Sequence, residues 1–301
     1  MSFKVTSSGI FTTLQDNGRY GYTHEGRTPS GVMDEYAYFW SQKLLKNQNI
    51  NALEVMVGLK LQTLAPTIIA ITGADLNFQI NGTSKPIWQT YTIQKDDVLS
   101  FNKRVSGQRS YLAVKGGFLF EKEYGSFSTT LKEDIGKKLK RGDILETEGL
   151  TSSNEKRAFP CRTVRTFIPD YNKPLLLRIL LSYQDNYFSK EEKKKFFNTE
   201  YELTLQSNRM GFKLKGQAII PTKGGIISEG ISFGSVQIPK DGQPIVLLKE
   251  RQTIGGYPKI GTVLAVDCFR LAQITIGSKI RFQAIEIEEV EEIMKVFYSS
   301  F

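Results

Sequence analysis

One histidine and two cysteines in 301 residues remove whole classes of chemistry. Zinc sites draw several ligands from His and Cys, and no such cluster runs along the chain, so no metal is expected. A Ser-His-Asp triad would have to be built on His24 alone. Cys161 and Cys268 are too few for a disulfide framework and form no Cys-x-x-Cys pair. Each reads as a small buried hydrophobe. No run approaches the roughly 20 apolar residues of a membrane helix, and the stretch Met1 to Thr6 lacks the apolar core of a signal peptide. The expectation is a cytoplasmic protein with no membrane partner. There is also no Gly-x-x-x-x-Gly-Lys-Ser/Thr loop and no dinucleotide fingerprint after a strand. That disfavours a standard P-loop for ATP but leaves nucleotide binding between subunits open.

What remains is an ordinary globular composition, 40% hydrophobic and 24% charged, which does not suggest disorder. The formal charge is +9, from 40 Lys and Arg against 31 Asp and Glu. The basic runs at 137–141 and 190–195 are short and interrupted. They read as solvated faces rather than a nucleic-acid stripe.

Short strand-like runs dominate: Thr67 to Thr72, Leu76 to Ile80, Tyr111 to Val114, Leu175 to Leu181, Tyr201 to Leu205, Ile245 to Leu248 and Thr262 to Val266. Asn81-Gly82 is a strong hairpin signal. Turns rather than long helical patterns separate these runs, which favours a barrel or sandwich over a doubly wound sheet. A polar tight turn followed by an alternating strand recurs three times, at 95–101, 141–145 and 276–282. Helices are few. Asp34 is placed to cap one through about Leu45, and Ser189 with Glu192 has capping-box spacing for one to about Phe197. The stretch Glu286 to Phe297 suits an amphipathic closing helix. A polar segment inside 148–173 reads as a linker. The expected division is 1–150 with a first barrel, 151–173 as linker or long loop, and 174–301 as a second barrel.

Three glycine-rich polar stretches can carry chemistry. The first is Thr12-Thr13-Leu14-Gln15-Asp16-Asn17-Gly18-Arg19, continuing to Pro29-Ser30-Gly31-Val32-Met33-Asp34. Gln15, Asp16, Arg19, Ser30 and Asp34 offer it an amide, two carboxylates, a guanidinium and a hydroxyl, and Arg19 suits a carboxylate or phosphate. A pair of structural turns explains it equally well. The second, Ser207-Asn208-Arg209-Met210-Gly211, presents Arg209 to an anion. The third runs from Ser228-Glu229-Gly230 through Gln237 and Asp241-Gly242-Gln243-Pro244 to Gln252-Thr253-Ile254-Gly255-Gly256-Tyr257-Pro258-Lys259. There Glu229 or Asp241 is a candidate base, and Gln237, Gln243 and Gln252 are candidate readers of an amide or ureido group beside Tyr257. Lys259 is a candidate for stabilising an oxyanion or phosphoryl charge. Hairpin turns account for the glycines but not for three nearby glutamines.

In this order, with Ala52-Leu53-Glu54, Thr72-Gly73-Ala74-Asp75, Arg109 to Gly117, Gly125-Ser126-Phe127-Ser128-Thr129 and Asp241-Gly242-Gln243-Pro244-Ile245-Val246-Leu247 among them, the pieces resemble a known family. Its members are variously called biotin-dependent carboxyltransferase, allophanate hydrolase subunit 2 and the C subunit of 5-oxoprolinase, and they include an antagonist of a sporulation-kinase inhibitor. The resemblance spans about Gly9 to Phe282. It implies a mostly-β fold of two cyclophilin-like β-barrel domains with a few short helices. It also implies partners: the B subunit of 5-oxoprolinase or an allophanate hydrolase subunit 1-like protein, together with a LamB-type A subunit.

The activity it implies is ATP-dependent opening of 5-oxo-L-proline to L-glutamate, with ATP shared with the partner subunits. The alternatives are carboxyl transfer from carboxybiotin to urea or a related amide, or regulatory binding of a histidine-kinase inhibitor. Biotin would have to come from another chain, because Ile293-Met294-Lys295-Val296 lies in the acidic helical pattern. Two departures stand out: Phe127 occupies a position where a basic residue is frequent, and Ser182-Tyr183-Gln184 replaces Gly-Pro-Gln.

Overall fold

The computed structural model describes residues 2–148 and 160–301. The chain divides into two compact units. One comprises Met1–Arg19 and Ser30–Asn172; the other comprises Tyr20–Pro29 and Lys173–Phe301. Of the expected linker, 151–159 lie outside the described residues, while 160–172 belong to the first unit. There Arg162 bridges to Gln89, and the Tyr171 hydroxyl donates to Asp34 at 2.9 Å.

The first unit holds two sheets. The six-stranded sheet runs in the order β11 (Ile144–Glu146), β1 (Ser2–Ser8), β4 (Leu59–Thr63), β9 (Val98–Phe101), β6 (Phe78–Ile80) and β7 (Thr83–Ser84). The five-stranded sheet runs β2 (Thr12–Gln15), β3 (Ala52–Val55), β10 (Ser106–Val114), β5 (Thr67–Asp75) and β8 (Gln89–Ile93). Alternation sends Phe3, Val5, Leu61 and Leu99 from the one, and Leu53, Ile69, Ile71 and Leu112 from the other, into a shared core. Burying each such side chain stabilises the fold by roughly 1.5–3 kcal/mol.

Strand β5 is buried along almost its whole length because α1 (Glu35–Leu45) covers its other face. The Thr72 hydroxyl reaches that helix, donating to the Ala37 carbonyl at 2.6 Å. Asp34 caps α1 as expected, accepting from the Ala37 N–H at 3.1 Å, and the helix stops at Lys46 in a left-handed conformation. Asn81 and Gly82, with φ of 52° and 79°, form the two-residue turn joining β6 to β7.

In the second unit seven strands close a barrel: β12 (Leu175–Leu181), β19 (Lys259–Val263), β16 (Ser235–Gln237), β17 (Ile245–Leu247), β14 (Gly211–Lys215), β13 (Tyr201–Asn208) and β20 (Lys279–Ala284). Closure comes from a parallel pairing of β20 with β12. A two-stranded ribbon, β15 (Glu229–Gly230) with β18 (Ile254–Gly255), completes the strands. Helix α2 (Lys190–Asn198) starts at Ser189, whose hydroxyl accepts from the Glu192 N–H, and its Phe196 stacks on Phe282 at 4.5 Å.

The strand expected over 262–266 is displaced: β19 ends at Val263, and α3 (Ala265–Leu271) begins two residues later. Its β-branched residues disguise the boundary. Asp267 settles it by pairing from the helix with the Arg178 guanidinium at 2.6 and 2.9 Å. Helix α4 (Ile287–Ser299) closes the chain and contains Met294-Lys295. The three repeated turn–strand endings lead into β9, β11 and β20 through left-handed Asp96, Gly142 and Gly277.

Candidate functional site

In the second unit, strand register gathers part of the third stretch. Gln237 on β16 pairs with Lys259 on β19, and opposed residues of an antiparallel pair project to the same face. The Lys259 ammonium pairs with the Glu229 carboxylate and donates to the Gly230 carbonyl at 3.3 Å. Two further donors converge on Glu229: the Tyr183 hydroxyl, and the Gln184 amide nitrogen at 2.6 Å. The Gln184 side-chain oxygen in turn accepts from the Lys259 backbone N–H at 2.9 Å. Lys259 is 7% exposed and its ammonium lies 5.8 Å from the centre of the Tyr183 ring.

This surrounding sets the charge state of Glu229. The bond from Lys259, followed by that from Tyr183, holds its carboxyl below the ordinary carboxylate range. Tyr183 shifts the opposite way, because its hydroxyl donates to that carboxylate. Glu229 is therefore a carboxylate that fixes an ammonium.

Gln237 differs from every neighbour. It is 3% exposed, and its amide nitrogen has no hydrogen-bond partner among the described residues. A Cβ on Gly255 would stand 2.9 Å from that nitrogen, so only glycine leaves the space beside it open. An unpaired buried donor costs about 1–3 kcal/mol.

The remaining residues of that stretch go elsewhere. Gln243 bonds the Gly216 N–H at 2.8 Å and the Gly216 carbonyl at 3.2 Å, using both ends of its amide to fasten backbone. Asp241 pairs with Lys213 at 2.7 Å and accepts from the Gln243 N–H. Burial works to raise its pKa, but these bonds prevail and hold it below the ordinary range. Gln252 and Tyr257 are exposed. Arg209 forms a buried ion pair with Glu250. Tyr183 and Gln184, which the sequence presents only as an altered turn, prove to be direct partners of Glu229. Their signal was a polar triplet immediately after a strand.

In the first unit the polar chemistry of the first stretch is turned inward. Asp16 accepts from the Gly18 N–H, the Ser126 and Ser128 hydroxyls at 2.6 and 2.5 Å, and the Phe127 N–H. Arg19, 2% exposed, donates to the Thr130 hydroxyl at 2.7 Å and to the Ser128 carbonyl. Gln15 and Ser30 both donate to the Thr129 carbonyl. These residues shape the loop at 126–130, while Asp34 serves α1 and Tyr171. Behind them, Glu54 accepts from the Met33 N–H and the Tyr111 hydroxyl, each at 2.8 Å. His24, which belongs to the second unit, is exposed beside Glu25. Among the described residues, no group of three His, Cys, Asp or Glu is placed to hold a metal ion. None of their helices is long and apolar enough to cross a membrane.

Residues 25–284 match the family described as carboxyltransferase domain, subdomain A and B. The chain belongs to this family. It is 32% identical to the 5-oxoprolinase C subunit of Haemophilus influenzae, with 94% of this chain and 91% of that protein covered. It is also 32% identical to the 5-oxoprolinase C subunit of Escherichia coli, with 95% and 92% covered. The urea amidolyase of Saccharomyces cerevisiae is 26% identical across 95% of this chain, which spans only 17% of that protein. Among solved structures, the Kluyveromyces lactis urea amidolyase superposes with a TM-score of 0.90 at 22% identity, over 99% of this chain and 20% of that one. That likeness establishes the carboxyltransferase fold: mostly β, with few helices.

Proposed function

We propose that this carboxyltransferase-family chain is the C subunit of an ATP-dependent 5-oxoprolinase complex, which opens the lactam of 5-oxo-L-proline to give L-glutamate. The observation that carries the reading is the buried, unpaired Gln237 amide nitrogen on the same sheet face as Lys259. A lactam carbonyl accepts hydrogen bonds in the ground state and gains negative charge as its carbon is attacked. A fixed N–H donor suits the first condition and a fixed ammonium the second. Glu229, held ionised by three donors, keeps the ammonium in place. Its low affinity for protons favours that orienting role over proton abstraction at neutral pH. Attack on the carbonyl then draws on a base or an activated phosphoryl group from elsewhere in the complex, and the chain is inactive without its partners, the B and A subunits.

A ureido carbonyl would satisfy the same two groups, and the urea amidolyase relatives make carboxyl transfer to urea the second reading. Biotin for it would come from another chain, since Lys295 lies within α4 rather than at a hairpin tip. Co-expression with the partner subunits separates the two: 5-oxoproline-dependent ATP hydrolysis is expected from the intact complex. An assembled complex silent with 5-oxoproline would overturn the first reading, and biotin-dependent urea carboxylation would establish the second.

A further inference from the structure

In the first unit, a cleft of about 570 Å³ opens between the end of α1 and the loop at Phe127. Its walls include three lysines, Lys46, Lys115 and Lys122, and two acids, Asp16 and Glu148. Several lysines of the second unit sit against carboxylates: Lys193 against Asp185, Lys213 against Asp241 and Lys279 against Glu202, at 2.6–2.7 Å. The cleft lysines do otherwise. The Lys115 ammonium donates to the Leu45 carbonyl at 3.0 Å and the Lys46 carbonyl at 3.4 Å, and Lys122 lies 5.0 Å above the centre of the Phe127 ring. Among the described residues none of the three pairs with a carboxylate. Asp16 is committed to its four donors. Glu148 packs beside Gly116, reaching within 3.1 Å of where a Cβ would stand. The cleft therefore collects three lysines, of which Lys115 rests on carbonyls and Lys122 on a ring, in a volume suited to a small molecule.

We propose that this cleft binds the phosphate chain of a small molecule. Three ammonium point charges surround a tetrahedral, multiply charged group well, whereas a planar carboxylate is matched best by an arginine fork, and no arginine among the described residues lines the cleft. Free polyphosphate and a nucleotide both offer this chemistry. The site is independent of how Gln237 and Lys259 are used.

Calorimetric titration of the full chain with tripolyphosphate, ATP, adenosine and glutamate tests it. Tripolyphosphate binding is expected to weaken with added salt and to fall at least about tenfold in a Lys46→Asn, Lys122→Gln double variant. Asn is chosen because it tolerates the left-handed backbone at residue 46. The exposed single change Lys122→Gln carries the same test with a several-fold loss, and Lys213→Ala in the second unit leaves affinity unchanged. ATP binding tighter than tripolyphosphate identifies the nucleotide as the source; equal affinities identify the phosphate chain alone, and either supports the site. Unaltered affinity in both cleft variants, or glutamate competing equally at matched ionic strength, overturns it.

Discussion

Gln184 and Glu229 are joined by a 2.6 Å hydrogen bond, and the other end of the same amide holds the Lys259 backbone N–H at 2.9 Å. One side chain thus fixes both the carboxylate and the strand that presents its cationic partner. Gln184→Ala should slacken both at once. In the assembled complex, turnover is expected to drop about 10–100-fold with a smaller change in KM, because the contact positions a charge used in the transition state. A rise in KM alone would count against that role.

Gln237→Leu is expected to separate stability from function. Removing a buried donor that bonds nothing should leave the unfolding free energy unchanged or raise it by about 1–2 kcal/mol. The same change should reduce kcat/KM of the complex at least tenfold. Urea denaturation beside steady-state kinetics reads both. A destabilised variant with intact activity would show that the amide is structural.

Gly255→Ala probes the space beside that amide. Its Cβ would lie 2.6 Å from Ile231 Cδ1 and 2.9 Å from the Gln237 nitrogen. Overpacking of this kind costs about 1–3 kcal/mol, and the displaced Gln237 should lose its effect on kcat/KM. Gly277→Ala, at a turn open to solvent, controls for glycine substitution in general; its left-handed φ of 85° makes it strained but clash-free.

The depressed pKa of Glu229 makes a pH prediction with a definite sign. A carboxyl whose folded pKa lies below its unfolded value contributes stability above the unfolded value and loses it as pH falls through the folded one. Tyr183→Phe removes one of the donors responsible. Its stability deficit relative to the parent should be full above about pH 5 and shrink as the carboxyl protonates below that. Chemical denaturation at a series of acidic pH values measures it, and a deficit independent of pH would assign the loss to packing.

Much of the fold was legible because its signals are local. Asn81-Gly82 announces its turn through backbone conformations few other pairs adopt, and Asp34 and Ser189 announce helix starts because each side chain bonds an N–H only three residues on. Helix α3 was hidden for the opposite reason: its apolar, β-branched lead-in suits a strand, and what decides the matter is Arg178, far away in sequence. The site divides along the same line. Three glutamines near one another in sequence looked alike, but Gln243 is claimed by Gly216 and Gln252 lies exposed, leaving Gln237 with an open amide. Which glutamine keeps a free donor depends on strand register, and no composition or spacing encodes it. Likewise, Asp16 and Arg19 stood out as chemistry and proved to be the braces of the 126–130 loop.

Residues 20–29 leave the first unit to join the second, and the chain then returns to finish the first before building the rest of the second. The two units are therefore interleaved along the polypeptide rather than strung one after the other. A single cut between residues 172 and 173 leaves the second unit without residues 20–29, which stay with the first. On the ribosome, a part of the second unit emerges roughly 140 residues ahead of the body it belongs to. Such a chain resists being shuffled as cassettes: moving residues 173–301 alone leaves a piece of the second unit behind.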